Sequence, residues 1–245
     1  MLGMVTTQDH GTSGVKDIAE AIGGGLKENS LVIIEGDANT GKSVVSEHIA
    51  YGVLRGRDTK VAYYSTEHNA KGLMDQMASL GLDVDRDVVA DRLRVYRVGT
   101  GPVIKDGPKA LQGLINHMSG IPEEFQLIFF DSPSWFMTHA DPMVKIDFLH
   151  ICKEFCDAGR TMVLIVDTHV FEARSLARAY AVSDYYLQLR NFDTVLETGQ
   201  MDLRVIKRMQ VSKMGGVSRQ QAEEIKFEIK PKVGIQLLPF VKVRV

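Results

Sequence analysis

The sequence predicts an α/β fold, a mostly parallel central sheet flanked by helices with an antiparallel C-terminal extension. Three observations predict it. Apolar runs at Leu31–Ile34, Val61–Tyr64, Phe125–Phe130 and Thr161–Val166 have the length and texture of strands buried on both faces. Segments with apolar residues at helical spacing separate these runs, the alternation that builds parallel sheets. From Asp193 onward the texture changes to strand-like alternation without intervening helices. A chain of 245 residues is long enough to bury a sizeable core in one domain.

Taken in order, residues 1–14 are polar and aperiodic and read as a flexible arm ahead of a single domain spanning 15–245. Val15 to Leu26 carries Ile18, Ala21, Ile22 and Leu26 at helical spacing and runs into Gly23-Gly24-Gly25, so a short helix ends there. The glycines suit a tight turn into the next strand, with a second anion site as the alternative. Leu31–Gly52, LVIIEGDANTGKSVVSEHIAYG, reads as strand, glycine loop and helix, with Val44, Val45, His48 and Ile49 on one side of the helix. Gly36-Asp37-Ala38-Asn39-Thr40-Gly41-Lys42-Ser43 is the P-loop (Walker A) pattern in the context it requires. Its two glycines let backbone N–H groups turn inward around a phosphate, and Lys42 adds a point charge at the outer phosphates. Ser43 offers a hydroxyl to Mg²⁺, and the helix start adds its partial positive charge.

After that helix, Arg55-Gly56-Arg57-Asp58 marks a turn, Val61–Tyr64 is a strand, and Leu73, Met74, Met77 and Leu80 give the next helix. Polar residues at strand ends of a parallel sheet face its crevice. Glu67 is therefore placed where a carboxylate orients an attacking water, or where it merely suits a helix dipole. Residues 82–109 are charged and turn-rich and read as an insertion or loop, a surface for partners, with one short strand at Leu93–Val98. Leu111–Met118 is helical.

Phe125–Phe130 closes on Asp131, which is what a Walker B segment looks like: a buried central strand whose terminal carboxylate holds Mg²⁺, directly or through water. Ser132 either reaches the γ-phosphate region or caps a turn. Asp147–Asp157 is an amphipathic helix, and Cys152 and Cys156 share one of its faces as buried thiols of a reducing compartment rather than as a zinc pair. Thr161–Val166 leads into Asp167-Thr168-His169, where His169 is a γ-phosphate sensor or an ordinary loop histidine. A helix over Phe171–Tyr180 and a strand over Ser183–Leu189 follow. Asp202–Val211 alternates like a strand, and Glu223–Ile229 with Val233–Leu238 forms a hairpin around Lys230-Pro231-Lys232. Lys207, Arg208 and Lys213 are solvated edge residues, or fingers supplied in trans to a neighbouring subunit's nucleotide.

Lysine and arginine total 29 against 31 acidic residues, a net charge of -2, so nothing in the balance asks for nucleic acid. No signal-peptide pattern heads the chain and no apolar run approaches the ~18 residues of a spanning helix. The expectation is a cytoplasmic protein without direct membrane insertion, peripheral to the membrane only through partners.

Several segments together resemble the KaiC-like branch of the RecA superfamily, and within it the ATP-binding components of the archaellum, the archaeal swimming motor. They are Gly23–Leu31, the loop GDANTGKS, YYSTEHN, LIFFDS, VDTH, and the tail from LRVIKRM through FEIKPKVGIQLLP. The resemblance covers nearly the whole chain from about Val15. It implies a RecA-like core that binds ATP (or ADP) with Mg²⁺, forms a homo-hexameric ring, and docks on the motor ATPase and platform. By that likeness Glu67 matches the catalytic glutamate position, Asp131 the Walker B aspartate, and Lys207 the lysine that points into the neighbour's site.

Three departures argue against fast turnover. Asn39 stands where such loops carry glycine, Met209 where active members place an arginine finger, and His68 where a second glutamate follows the first. A missing finger cation is worth roughly 10³ to 10⁵ in rate. The sequence thus points first to a nucleotide-dependent assembly switch that is at most a slow ATPase. An active ATPase that remodels or phosphorylates partners comes second, and a RecA-like recombinase on DNA third.

Overall fold

The computed structural model describes residues 25–56, 58–100, 107–138, 140–193, 205–214 and 223–238. The arm expected over 1–14 and most of the helix expected over Val15–Leu26 lie outside them. Strands β1 (Leu31–Gly36), β2 (Lys60–Ser65), β3 (Leu93–Arg97), β4 (Phe125–Asp131), β5 (Thr161–Asp167), β6 (Tyr185–Asp193), β7 (Val205–Lys213), β8 (Glu223–Lys230) and β9 (Gly234–Leu237) form one sheet. Its order is β3-β2-β4-β5-β1-β6-β7-β8-β9. Every pairing from β3 to β6 is parallel, and every pairing from β6 to β9 is antiparallel. The expected architecture is what the chain adopts.

Alternation along the strands divides the core in two. Val32 and Ile34 of β1 point to one face, where they meet Val45, Ile49 and Val53 of α1 (Lys42–Gly56) and Leu73 and Met77 of α2 (Ala70–Ser79). Leu31 and Ile33 point to the other face. There they meet α4 (Gly107–Ser119), α5 (Ser134–Met137), α6 (Pro142–Asp157) and α7 (Ala173–Val182). Cys152 and Cys156 are fully buried free thiols on α6, as expected. The first face also receives Met209, Ile225, Phe227 and Ile235, so the antiparallel extension packs onto the same helices as β1. No helix among the described residues is long and apolar enough to cross a membrane.

Two stretches differ from the expectation. Of the stretch 82–109 expected as an insertion or loop, the strand expected at Leu93–Val98 is present as β3, but α3 (Asp85–Val89) precedes it and it joins the sheet as a parallel edge strand beside β2 rather than standing apart. Several of the charges that made the stretch look like loop are paired. Asp87 is buried, ion-paired to Arg55 and, at 3.1 Å, to Arg92, which also donates to the Leu54 carbonyl at the end of α1. Leu82 and Val84 join the core beneath them. Helix α6 begins five residues before Asp147, because Asp141 accepts a hydrogen bond from Met143 N at 2.8 Å and Pro142 occupies the first turn.

One buried histidine pins the C-terminal hairpin to α1. His48 Nε2 accepts from Ile235 N at 3.1 Å, so Nδ1 carries the proton and donates to the Val44 carbonyl at 2.8 Å. The hairpin approaches so closely that a Cβ on Gly234, where φ is +77°, would sit 2.2 Å from His48 Nε2. Burial drives the His48 pKa down to about 4, against a smaller opposing effect of the Val44 carbonyl. Folding therefore favours the neutral ring. This contribution is complete above pH 6.5, the unfolded value, and is lost as pH falls toward 4, by roughly 3 kcal/mol at most.

Urea unfolding of wild type and His48→Gln across pH 7.5 to 4 should give a shallower decline for the variant below pH 6.5. Parallel stability curves for the two proteins would remove His48 from this role.

Candidate functional site

The loop Asp37–Gly41 joins β1 to α1 at the carboxyl edge of the sheet. It turns through two left-handed residues, Asn39 (φ 63°) and Gly41 (φ 91°). Asparagine tolerates that geometry at some cost, so the position expected to carry glycine keeps its conformation. Gly41 cannot be replaced cheaply, since any side chain at its φ of +91° is strained. Thr40 Oγ1 donates to the Asp37 carbonyl at 2.8 Å and braces the turn. Lys42 Nζ donates to the Gly36 and Asp37 carbonyls at 2.8 and 2.9 Å and pairs with Asp167 Oδ1 at 2.9 Å.

Asp131 ends β4 one step from the loop. Its carboxylate accepts hydrogen bonds from the Ser43 hydroxyl and, at 3.2 Å, from the Tyr63 hydroxyl. Ser46 Oγ lies 2.8 Å from the Tyr63 hydroxyl and 2.7 Å from the Ser43 carbonyl, and because Tyr63 donates to Asp131, the single Ser46 proton serves one of the two at a time. The Ser43 and Tyr63 hydroxyls both donate to Asp131, which ties the first turn of α1 to the end of β4. Burial pushes the Tyr63 hydroxyl well above its ordinary range, so it stays a donor. Burial also pushes Asp131 up to about 6, and the Glu67 charge adds to this. The Ser43 and Tyr63 hydrogen bonds and the Lys42 charge pull the other way.

The cleft between these groups holds about 710 Å³, and its walls include Asp37–Asn39, Gly41–Ser43, Glu67 and Asp131. Glu67 projects from the β2–α2 loop with a largely exposed side chain, 4.0 Å from His68 Nε2. Thr66 N donates to the Asp131 carbonyl at 2.7 Å, which fixes that loop against β4. Ser132 caps a turn: its Oγ accepts from Ser134 N at 3.1 Å and donates to Ser134 Oγ at 2.7 Å. Ser134 Oγ in turn accepts from Asp167 N at 2.8 Å.

Two expected residues are elsewhere. Lys207, expected to reach a neighbouring subunit, is turned inward on its own chain, donating to the Asn39 carbonyl and, at 3.3 Å, to Asn191 Oδ1. His169 (φ 74°) lines a separate cavity of about 220 Å³ with Glu35, Gln188 and Arg190, not the loop cleft. Met209, at the finger position, is fully buried in the sheet.

Two residues of the cleft wall, Asp167 and Glu47, and Tyr63 buried behind it carry no motif in the sequence. Asp167 was seen only as a strand end, although Gly36 and Asp167 share a register position in β1 and β5. Tyr63 read as plain strand. Glu47 carries a sequence signal, its i+4 spacing from Ser43, which places both on one face of α1. Glu47 is buried, and burial, with the Asp131 charge second, raises its carboxyl well above the usual range.

The donor set is all oxygen, a hydroxyl beside a carboxylate, which fits a hard divalent cation such as Mg²⁺. Among the described residues no group of three or more His, Cys, Asp or Glu side chains is arranged to hold a metal. A cation held by Ser43 and Asp131 would complete its shell from water and phosphate oxygens.

Comparison with known proteins agrees with this fold. The family model described as "ATPase: KaiC" matches residues 11–241. The archaeal flagellar ATP-binding protein FlaH of Methanocaldococcus jannaschii is 28% identical over 221 residues, 89% of this chain and 91% of that protein. Its namesake from Sulfolobus acidocaldarius is 22% identical over 219 residues, 88% of this chain and 91% of that protein. The crystal structure of the flagellar accessory protein FlaH from M. jannaschii superposes with a TM-score of 0.77 at 23% identity, covering 97% of this chain and 98% of that one. A KaiC-like protein from Pyrococcus horikoshii gives 0.71 at 17% identity, over 93% and 97%. These structures share the fold, a RecA-like core extended by antiparallel strands.

Because folding raises the Asp131 pKa, its ionised form is penalised in the folded protein. The Asp131 contribution to stability without cation therefore rises as pH falls from above 6 toward 3.8, against the His48 contribution. Asp131→Asn should raise stability without cation by about 1–3 kcal/mol at pH 7.5, and the gap should close near pH 4. Chemical denaturation at the two pH values checks this, and a less stable variant at pH 7.5 would contradict it.

Proposed function

Because the chain belongs to the KaiC family of ATPases, we propose that it binds ATP with Mg²⁺ at residues 36–43 and acts as a nucleotide-dependent assembly component of the archaellum motor. The observation that carries this reading is the left-handed loop of Asn39 and Gly41 set directly against the Ser43–Asp131 pair. Backbone N–H groups of such a loop and the N-terminus of α1 form an anion cup. In the bound state Lys42 neutralises the outer phosphates, while Ser43 and Asp131 take the cation. The curated relatives named as archaeal flagellar ATP-binding proteins support the place of action.

The reading extends to a cytoplasmic homo-hexameric ring over the single domain 15–245, docked on the motor ATPase and platform and held at the membrane face only through them. Turnover is slow or absent. Met209 is buried in the sheet and Lys207 is occupied by its own loop, so the developing transition-state charge has no cation of the finger kind. One observation favours the alternative of an active ATPase. The Glu67 carboxylate is free to enter the cleft, at the position from which a base orients water.

Sedimentation with and without ATP and Mg²⁺ should show a larger species only with both, and phosphate release should stay near background in wild type and Glu67→Gln alike. An unchanged monomer opposes the assembly reading, and appreciable release that collapses in Glu67→Gln favours the enzyme. The Lys42–Asp167 pair must loosen for the ammonium to turn to a phosphate. It is half exposed on the Asp167 side and so worth well under 1.4 kcal/mol. Asp167→Asn should tighten ATP binding by roughly two- to fivefold in calorimetric titration, and weaker binding would show that Asp167 helps hold the ligand instead.

A further inference from the structure

We infer that Glu47 is a second carboxylate of the divalent-cation site, beside Ser43 and Asp131. The inference rests on the ATP and Mg²⁺ reading above and adds to it a residue outside the loop and Walker B motifs. Glu47 sits one helical turn after Ser43 on α1, and its side chain forms part of the cleft wall. The residue is 1% exposed, yet its Oε2 atom is buried without a hydrogen-bond partner. Buried polar atoms are almost always satisfied, and an orphan in a native fold calls for an explanation such as an ion. An unpaired buried carboxylate is the costliest kind.

The surrounding charges sharpen the point. Asp131 lies close enough for its charge to bear on Glu47, so two acids face the same space. The cation of the loop, Lys42, is committed to Asp167 and to backbone carbonyls. An apolar side chain at position 47 would serve packing better than an unsatisfied acid, so packing alone does not account for glutamate there. A divalent cation does. Magnesium and manganese sites take one or two carboxylates and fill the rest of the shell with water and phosphate oxygens. Glu47, one turn deeper than Ser43, is placed to hold a cation-bound water and to fix the orientation of the shell. Such outer partners change metal affinity by roughly 10- to 100-fold.

The test measures Mn²⁺ binding by electron paramagnetic resonance on the full chain, with and without ATP, for wild type, Glu47→Gln, Glu47→Leu, Asp131→Asn and Glu67→Gln. Both Glu47 variants should weaken Mn²⁺ binding about tenfold or more, approaching Asp131→Asn, while Glu67→Gln stays within about twofold of wild type. In metal-free buffer the Glu47 variants should unfold at or above the wild-type temperature, since they remove an uncompensated acid.

Wild-type Mn²⁺ affinity in folded Glu47 variants, with loss in Asp131→Asn, overturns the role of Glu47 and leaves the nucleotide reading intact. No Mn²⁺ bound by wild type even with ATP removes that reading and this inference with it. Loss of fold in both Glu47 variants assigns the carboxylate to structure and overturns the inference.

Discussion

The site depends on one constraint, the register of the parallel strands at their carboxyl ends. Gly36 lies opposite Asp167 across β1 and β5, and Ser65 lies opposite Asp131 across β2 and β4. Asp131 in turn lies opposite Ile165, two positions before Asp167, so the two pairs are stepped by two residues and the loops that follow emerge along the same carboxyl edge. The register is held from both faces at once. Val32 and Ile34 are buried among α1 and α2, while Leu31 and Ile33 are buried beneath α6. A slip of one residue would exchange the two sets and bury neither correctly. Apolar burial far from the chemistry thus fixes where the chemistry sits.

Electrostatics at that edge divides by side of β1. Glu35, at the penultimate position of the strand, is a compensated acid. It accepts from Tyr186 at 2.6 Å and Gln188 at 3.4 Å, and pairs with Arg190 at 3.0 Å. The acids on the loop side are not compensated in this way. Asp131 is pushed up to about 6 chiefly by burial, although Ser43 and Tyr63 both donate to it. Lys42 spends its charge on Asp167 and two carbonyls. Enclosed acids whose pKa is raised by burial are neutralised by a proton or by an entering cation, so the loop side of β1 lacks the internal compensation that Glu35 has on the other side.

Much of this was legible in the sequence because the physics is local. A strand buried on both faces is an uninterrupted apolar run, and a loop that needs left-handed residues shows glycine or asparagine at fixed spacing. Gly36–Ser43 and Asp131 could therefore be read directly. What stayed hidden depends on distant pairings. The charges of 82–92 looked solvent-exposed because nothing local reveals that Asp87 meets Arg55, 32 positions earlier. Lys207 read as a basic edge residue because its partner, the Asn39 carbonyl, is 168 positions away. Tyr63 sat in an ordinary strand pattern, and only the register that sets β2 beside β4 brings its hydroxyl to Asp131.

The antiparallel extension is more than a cover for the sheet edge. It grips the loop and the helix behind it at three points: Lys207 on the Asn39 carbonyl, Gly234 against His48, and Lys232 N on the Ser79 carbonyl at 2.7 Å. Two of the three touch the β1–α1 unit, where a phosphate would be cupped. The loop cannot shift its Asn39 carbonyl without either carrying Lys207 along or breaking a contact that burial has already made costly, since desolvation lowers the pKa of that ammonium. Coupling of this kind needs a continuous, packed connection between two elements, and here it is a single side chain. Strands β7–β9 are thus tied through Lys207 to the loop between β1 and α1.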